Sequence, residues 1–226
     1  MLFVLPVQVR DGASRHQIPL ANACLVLANV LVFCFGWSHA WAVGPGTGVW
    51  TILGYGFAHA SVLHLAGNMW TLLVFGNALN RRLGNGYYLL LYLGTIVALG
   101  VFVRLFCGSG LVGASGAIFA VIAACALLMP GRMVDLVYFA LLPLTLLMGL
   151  FYRPEHWLGW FIRWGEFQVR AIWGLIFVPL LELWSLYWWG WNWTNLGQLF
   201  GMVCGVAAVL LMPATITMGR RASLDI

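Results

Sequence analysis

Apolar positions along the chain gather into long runs, broken by short stretches that carry arginine, glycine or proline. Runs at about residues 18–41, 57–79, 87–106, 115–129, 171–189 and 193–212 each approach the ~20 residues that take an α-helix across a bilayer. The pattern predicts an all-α polytopic membrane protein with six spans, in one domain over residues 1–226. Gly84-Asn85-Gly86 predicts a tight turn between the second and third spans, and Pro130 an end to the fourth. Residues 42–55 are glycine-rich and uncharged, which predicts a loop or a shallow interfacial segment. Met1 to Val9 is apolar but too short for a signal peptide, and its arginines follow the apolar stretch, so no cleavage is expected.

The region 133–189 holds two further apolar runs, Leu136 to Phe151 and Ala171 to Trp189. Arginines favour the cytoplasmic side of a membrane, which places Arg10, Arg15, Arg81, Arg82, Arg132, Arg220 and Arg221 there, with both termini. If both runs crossed, Arg220 and Arg221 would lie outside, so only the second is read as a span. Residues 133–170 are then a long cytoplasmic-side excursion with Arg153, Arg163 and Arg170. Within it Trp157, Trp160, Phe161 and Trp164 recur at helical spacing beside Glu155, Arg163 and Glu166, which predicts an additional helical segment in the interface plane, anchoring the chain between spans four and five. Trp184, Trp188, Trp189, Trp191 and Trp193 predict an aromatic belt at the outer surface.

Composition agrees with a membrane chain: 63% of the 226 residues are hydrophobic and 8% are charged. The net charge of +5 rests on arginines at span ends, which explains topology better than it explains nucleic-acid binding, and no nucleic-acid partner is expected. Cys24, Cys34, Cys107, Cys125 and Cys204 are odd in number, and all but Cys107 fall within apolar runs. They predict neither a disulfide framework nor a metal site, and no cofactor is expected.

Polar groups in hydrocarbon are costly, so those inside the runs need a reason. In the second run His64 and Asn68 are four residues apart and share a helix face, while His59 lies roughly 140° around from His64. Such a pair could simply join two helices. In Leu111 to Met129 a serine, Ser115, opens an apolar helix between Gly113 and Gly116, where the first turn has amides without intrahelical partners. Small-residue packing alone would also account for that string.

The combination of His59, His64 and Asn68 spaced HxxxxHxxxN with Gly113-Ala114-Ser115-Gly116 resembles the rhomboid intramembrane serine proteases. The resemblance covers about residues 20–212 and includes Arg82-Leu83-Gly84, the span number, and Gly197, Gly201 and Gly205 near the end. It implies a six-helix rhomboid-like bundle, here with the interfacial insertion as a departure. It further implies Ser115 as nucleophile, His64 and Asn68 as oxyanion ligands, and His59 as support for the site with Gly113 and Gly116. Gly197, Gly201 and Gly205 form a GxxxGxxxG face for close helix packing. Acyl transfer at Ser115 would take place toward the outer leaflet, where a client helix unwinds most cheaply.

The family's general base is a histidine near the start of the last span, and this chain has none there. Helical phase from the glycines puts Thr194 at that position, and the string Trp-x-x-Leu-Gly puts Asn195 there. Neither accepts a proton near neutral pH, and His16, His39 and His156 lie outside the sixth span. Glu182 is the carboxylate inside a span, for which pairing with Trp or Asn is expected. Two functions therefore stand. One is an intramembrane serine endopeptidase whose base is supplied unusually; the other is a pseudoprotease that binds transmembrane segments. Both take a client's transmembrane helix as partner within the lipid bilayer, the plasma (inner) membrane if the chain is bacterial.

Overall fold

The computed structural model describes residues 2–10, 18–108, 110–151, 153–154, 156–190 and 192–213. Arg15, His16, Glu155, Trp191, Arg220 and Arg221 lie outside the described residues. In chain order the elements are β1 (Leu2–Val9), α1 (Leu20–Cys34), α2 (Thr51–Gly54), α3 (Val62–Thr71), a π-helical stretch (Leu72–Gly76) and α4 (Asn77–Leu83). Then follow α5 (Asn85–Phe106), α6 (Ser115–Leu128), β2 (Met133–Leu141), α7 (Leu144–Phe151), β3 (Ile162–Arg170), α8 (Gly174–Trp189) and α9 (Trp193–Leu211).

Among the described residues, four helical stretches are long and apolar enough to cross a membrane: Val62–Leu83, Asn85–Phe106, Ala171–Trp189 and Trp193–Leu211. Leu20–Cys34 and Ser115–Leu128 are apolar but shorter. The first run therefore forms a shorter α-helix than its apolar length suggests, and a 3-10 turn over Trp37–Trp41 takes up its end. The Val62–Leu83 span and α6 run the same way: Ala78 packs with Cys125 and Met129 near Arg81, Arg82 and Arg132, and His64 stands against Gly113 at the other end.

Helix α6 is the centre. Its alanines and glycines leave room for close neighbours, and most of its residues are buried. Along α9, a methyl group added to Gly201 would overlap the Gly116 carbonyl oxygen, and one on Gly205 would overlap that of Ala120. The backbones of α6 and α9 thus touch, as the glycine face predicts. The Val62–Leu83 span is π-helical over Leu72–Gly76, and it is met there by the buried Asn22 of α1. Its Nδ2 donates to Leu72 O at 3.0 Å and to Asn77 Oδ1 at 2.8 Å, while its Oδ1 accepts from the Tyr88 hydroxyl.

The region 133–170 corrects the expected interfacial helix. Among the described residues it holds β2, α7, a 3-10 turn at Trp157–Trp160 and β3, and β1 completes a three-stranded antiparallel sheet in the order β1-β2-β3. Trp164 lies in β3 opposite Phe139 rather than on a helix with Trp157 and Trp160. The spacing of the tryptophans suits a helix, but Ile162 to Arg170 also alternates and is rich in β-formers, and the available partner β2 decided between the two periods. Strand β1 is an edge strand, and the register shifts between Pro6 and Gln8, which accommodates the missing proline N–H. The row Val9, Val134 and Val169 packs the sheet onto Ala78, Cys125 and Met129 of the helices. Trp70 Nε1 donates to the Pro6 carbonyl at 2.6 Å, and Arg10 pairs with Asp135 at 3.0 Å.

Candidate active site at the start of the central helix

The site is built at the bundle end remote from Arg81, Arg82 and Arg132. Ser61 stands just before α3, and its hydroxyl accepts the His64 N–H at 3.1 Å, which sets where the helix begins and so where His64 and Asn68 point. Across from them the strand-like segment before α6 is stitched to the glycine-rich region: Val43 and Leu111 exchange N–H···O bonds of 3.0 and 2.8 Å, and Gly113 N–H donates to Tyr55 O at 2.9 Å. Those bonds hold Gly113 at φ +119, where an L side chain is strained. An added methyl there would also lie 2.8 Å from His64 Cε1, 3.0 Å from His64 Nε2 and 3.8 Å from Asn68 Nδ2. Gly113 is therefore the place where His64 and Asn68 meet the approach to Ser115.

Ser115 opens α6 and is 8% exposed. The first bond of its helix runs from Ile118 N–H to Ala114 O at 3.0 Å, so the Ser115, Gly116 and Ala117 amides come before the ladder starts. Among the described residues Asn68 Nδ2 and His59 Nε2 are buried and have no hydrogen-bond partner. His59 sits edge-on to His64, with ring centroids 5.1 Å apart, and its backbone N–H donates to Ser38 Oγ at 3.1 Å. The structure thus brings His59, His64, Asn68 and Gly113 together just before Ser115. A buried, unpaired carboxamide donor beside an imidazole is what a site for a developing oxyanion presents.

On α9, Gly197 turns its backbone to α6, with its carbonyl 3.3 Å from where a Gly116 methyl would stand. Thr194 is three residues earlier, on the same helical face, and its N–H is capped by Asn192 Oδ1 at 2.8 Å. Asn195 is turned elsewhere: it is buried, and its Nδ2 donates to Glu182 Oε2 of α8 at 2.5 Å. Several supports were not read from the sequence. Val43, Tyr55 and Ser38 act through backbone or a single hydroxyl, and no pattern marks them. Arg104 at the end of α5 binds the Thr47 carbonyl and so ties down the glycine-rich segment, which its position away from the other arginines could have signalled.

A bundle of apolar helices with a buried serine opening its central member, and an imidazole and a carboxamide packed at the glycine before it, defines a polytopic membrane protein with a polar site set into the bundle. Residues 46–214 match the Rhomboid domain, more than half of the chain, and the chain belongs to the rhomboid family. It is an integral membrane protein. No curated protein sequence matches it.

Proposed function

We propose that this rhomboid-type scaffold binds the transmembrane helix of a client protein near the outer leaflet, at the site formed by Ser115, His64 and Asn68, and lacks the base needed to hydrolyse it. The proposal takes six spans, with α1 and α6 as the two short ones, and puts the arginine-bearing ends and both termini on the cytoplasmic side. The observation that carries it lies on α9. The residue phased toward α6 is Thr194, and the next, Asn195, is held by Glu182. A hydroxyl and a carboxamide do not take a proton from serine near neutral pH. In soluble serine hydrolases loss of the histidine costs about a million-fold in kcat.

A second reading, an intramembrane serine endopeptidase, is favoured by the buried Asn68 Nδ2 without a partner next to His64 and Gly113. In it Ser115 Oγ attacks the peptide carbonyl, while the Ser115 N–H, His64 and Asn68 stabilise the oxyanion. Purified protein in liposomes with a client whose transmembrane helix is destabilised separates the two. A photoreactive residue at the exposed Gly110 is expected to crosslink the client equally with wild type and Ser115→Ala, with no cleavage. Cleavage abolished by Ser115→Ala would install the endopeptidase instead, and neither crosslink nor cleavage would remove both readings. Thr194→His is expected to raise fluorophosphonate labelling of Ser115 more than Asn195→His does, because Asn195 points at α8.

A further inference from the structure

Among the described residues Glu182 is the one carboxylate in the apolar helices, and it stands on α8, whose flanking residues Leu181 and Leu183 are exposed. Placing a charge at that depth is costly and needs a function. Its neighbours are two neutral amides. Asn195 Nδ2 donates to Oε2 at 2.5 Å. With the Gln198 carboxamide turned so that nitrogen faces the acid, its amide also donates, at 2.8 Å to Oε2 and 3.1 Å to Oε1. Asn195 and Gln198 are one turn apart on α9, so a single helix face presents both donors. Among the described residues no arginine or histidine pairs with Glu182. Two amides orient a carboxylate without neutralising it.

We infer that Glu182, positioned by Asn195 and Gln198, is a recognition site for a cationic side chain carried by the client's transmembrane segment. This deepens the client-binding reading and rests on it. Helix α6, which Ser115 opens, packs against both α8 and α9, so the seam that holds Glu182 borders the same wall of the bundle. Glu182 is half-buried there, open on one side and held on the other. A lysine or arginine within a membrane segment is itself costly, and a fixed carboxylate at matching depth offsets both penalties through one charge-assisted bond. An ordinary helix-to-helix tie would need no formal charge, since a glutamine at 182 would bond Asn195 equally well.

The test uses the full-length protein in neutral-lipid liposomes and two client peptides. They are identical except for one lysine or one norleucine in the outer half of the transmembrane segment. Crosslinking from Gly110 is expected to favour the lysine peptide by about tenfold, a ratio worth ~1.4 kcal/mol. Glu182→Gln is expected to abolish the preference and leave norleucine-peptide binding unchanged, and Glu182→Asp to keep part of it. Equal binding of both peptides to wild type would overturn the inference, as would a Glu182→Gln variant that loses both peptides alike, which marks a tie between α8 and α9 only. Failure of both peptides to crosslink would count against the client-binding reading itself.

Discussion

Gly113 concentrates the constraints of the site at one residue. Its positive φ is imposed by the bond to Tyr55, and the space a side chain would fill is already taken by His64 and Asn68. Gly113→Ala is expected to cost about 1–3 kcal/mol of stability, from backbone strain and displaced imidazole together. Chemical denaturation in detergent would measure it, and a loss under a few tenths would show that the loop relaxes freely. Asn22 plays the corresponding part at the other end. Replacing it by leucine leaves the Asn77 carboxamide and the Tyr88 hydroxyl without their buried partner, so Asn22→Leu is expected to destabilise by about 1–3 kcal/mol. The same change at Asn29, whose amide turns back onto its own helix at Leu25, should cost less.

Between elements, contact of α6 with α9 is the closest in the bundle and depends on glycine at particular positions. A methyl at Gly201 meets a carbonyl oxygen of Gly116 with nowhere to go, whereas one at Gly197 stands 3.3 Å from the end of the Leu111 side chain, which can move. Gly201→Ala is therefore expected to lower the unfolding midpoint more than Gly197→Ala, with overpacking of about 1–3 kcal/mol at the former. The opposite order would place the helices in a different register. At the sheet, Trp70 holds the edge strand β1 through the Pro6 carbonyl. Trp70→Phe keeps the ring and loses that bond, and faster proteolysis near Pro6 is the expected result.

For the whole molecule, the proposed membrane sidedness rests on the arginines, since Arg81, Arg82 and Arg132 share one end and Ser115 the other. Single cysteines introduced into a background without the five native ones report this directly. An impermeant maleimide added from outside is expected to label Gly110→Cys and to spare Gly131→Cys. The reverse pattern would turn the site toward the cytoplasm and with it the side from which a client is met. The three-stranded sheet at the arginine end joins β1 to the region between α6 and α8 across more than a hundred residues of sequence.

The apolar runs, the stacked pair His64 and Asn68, the serine after Gly113 and the glycine face of α9 were legible from the sequence because each depends on spacing within one helix. Burial in lipid or core makes such local periodicity nearly obligatory. The β-sheet was not legible, because Ile162 to Arg170 satisfies two periods and only the presence of β2 and β1 selects one. Nor were the Val43 and Leu111 bridge or the Tyr55 bond to Gly113, which join segments far apart in sequence through backbone groups, whereas the expected Asn partner of Glu182 is found in Asn195. Spacing set which side chains can share a face. Tertiary packing alone decided which faces meet, because a hydrogen bond between distant segments leaves no periodic trace in either of them.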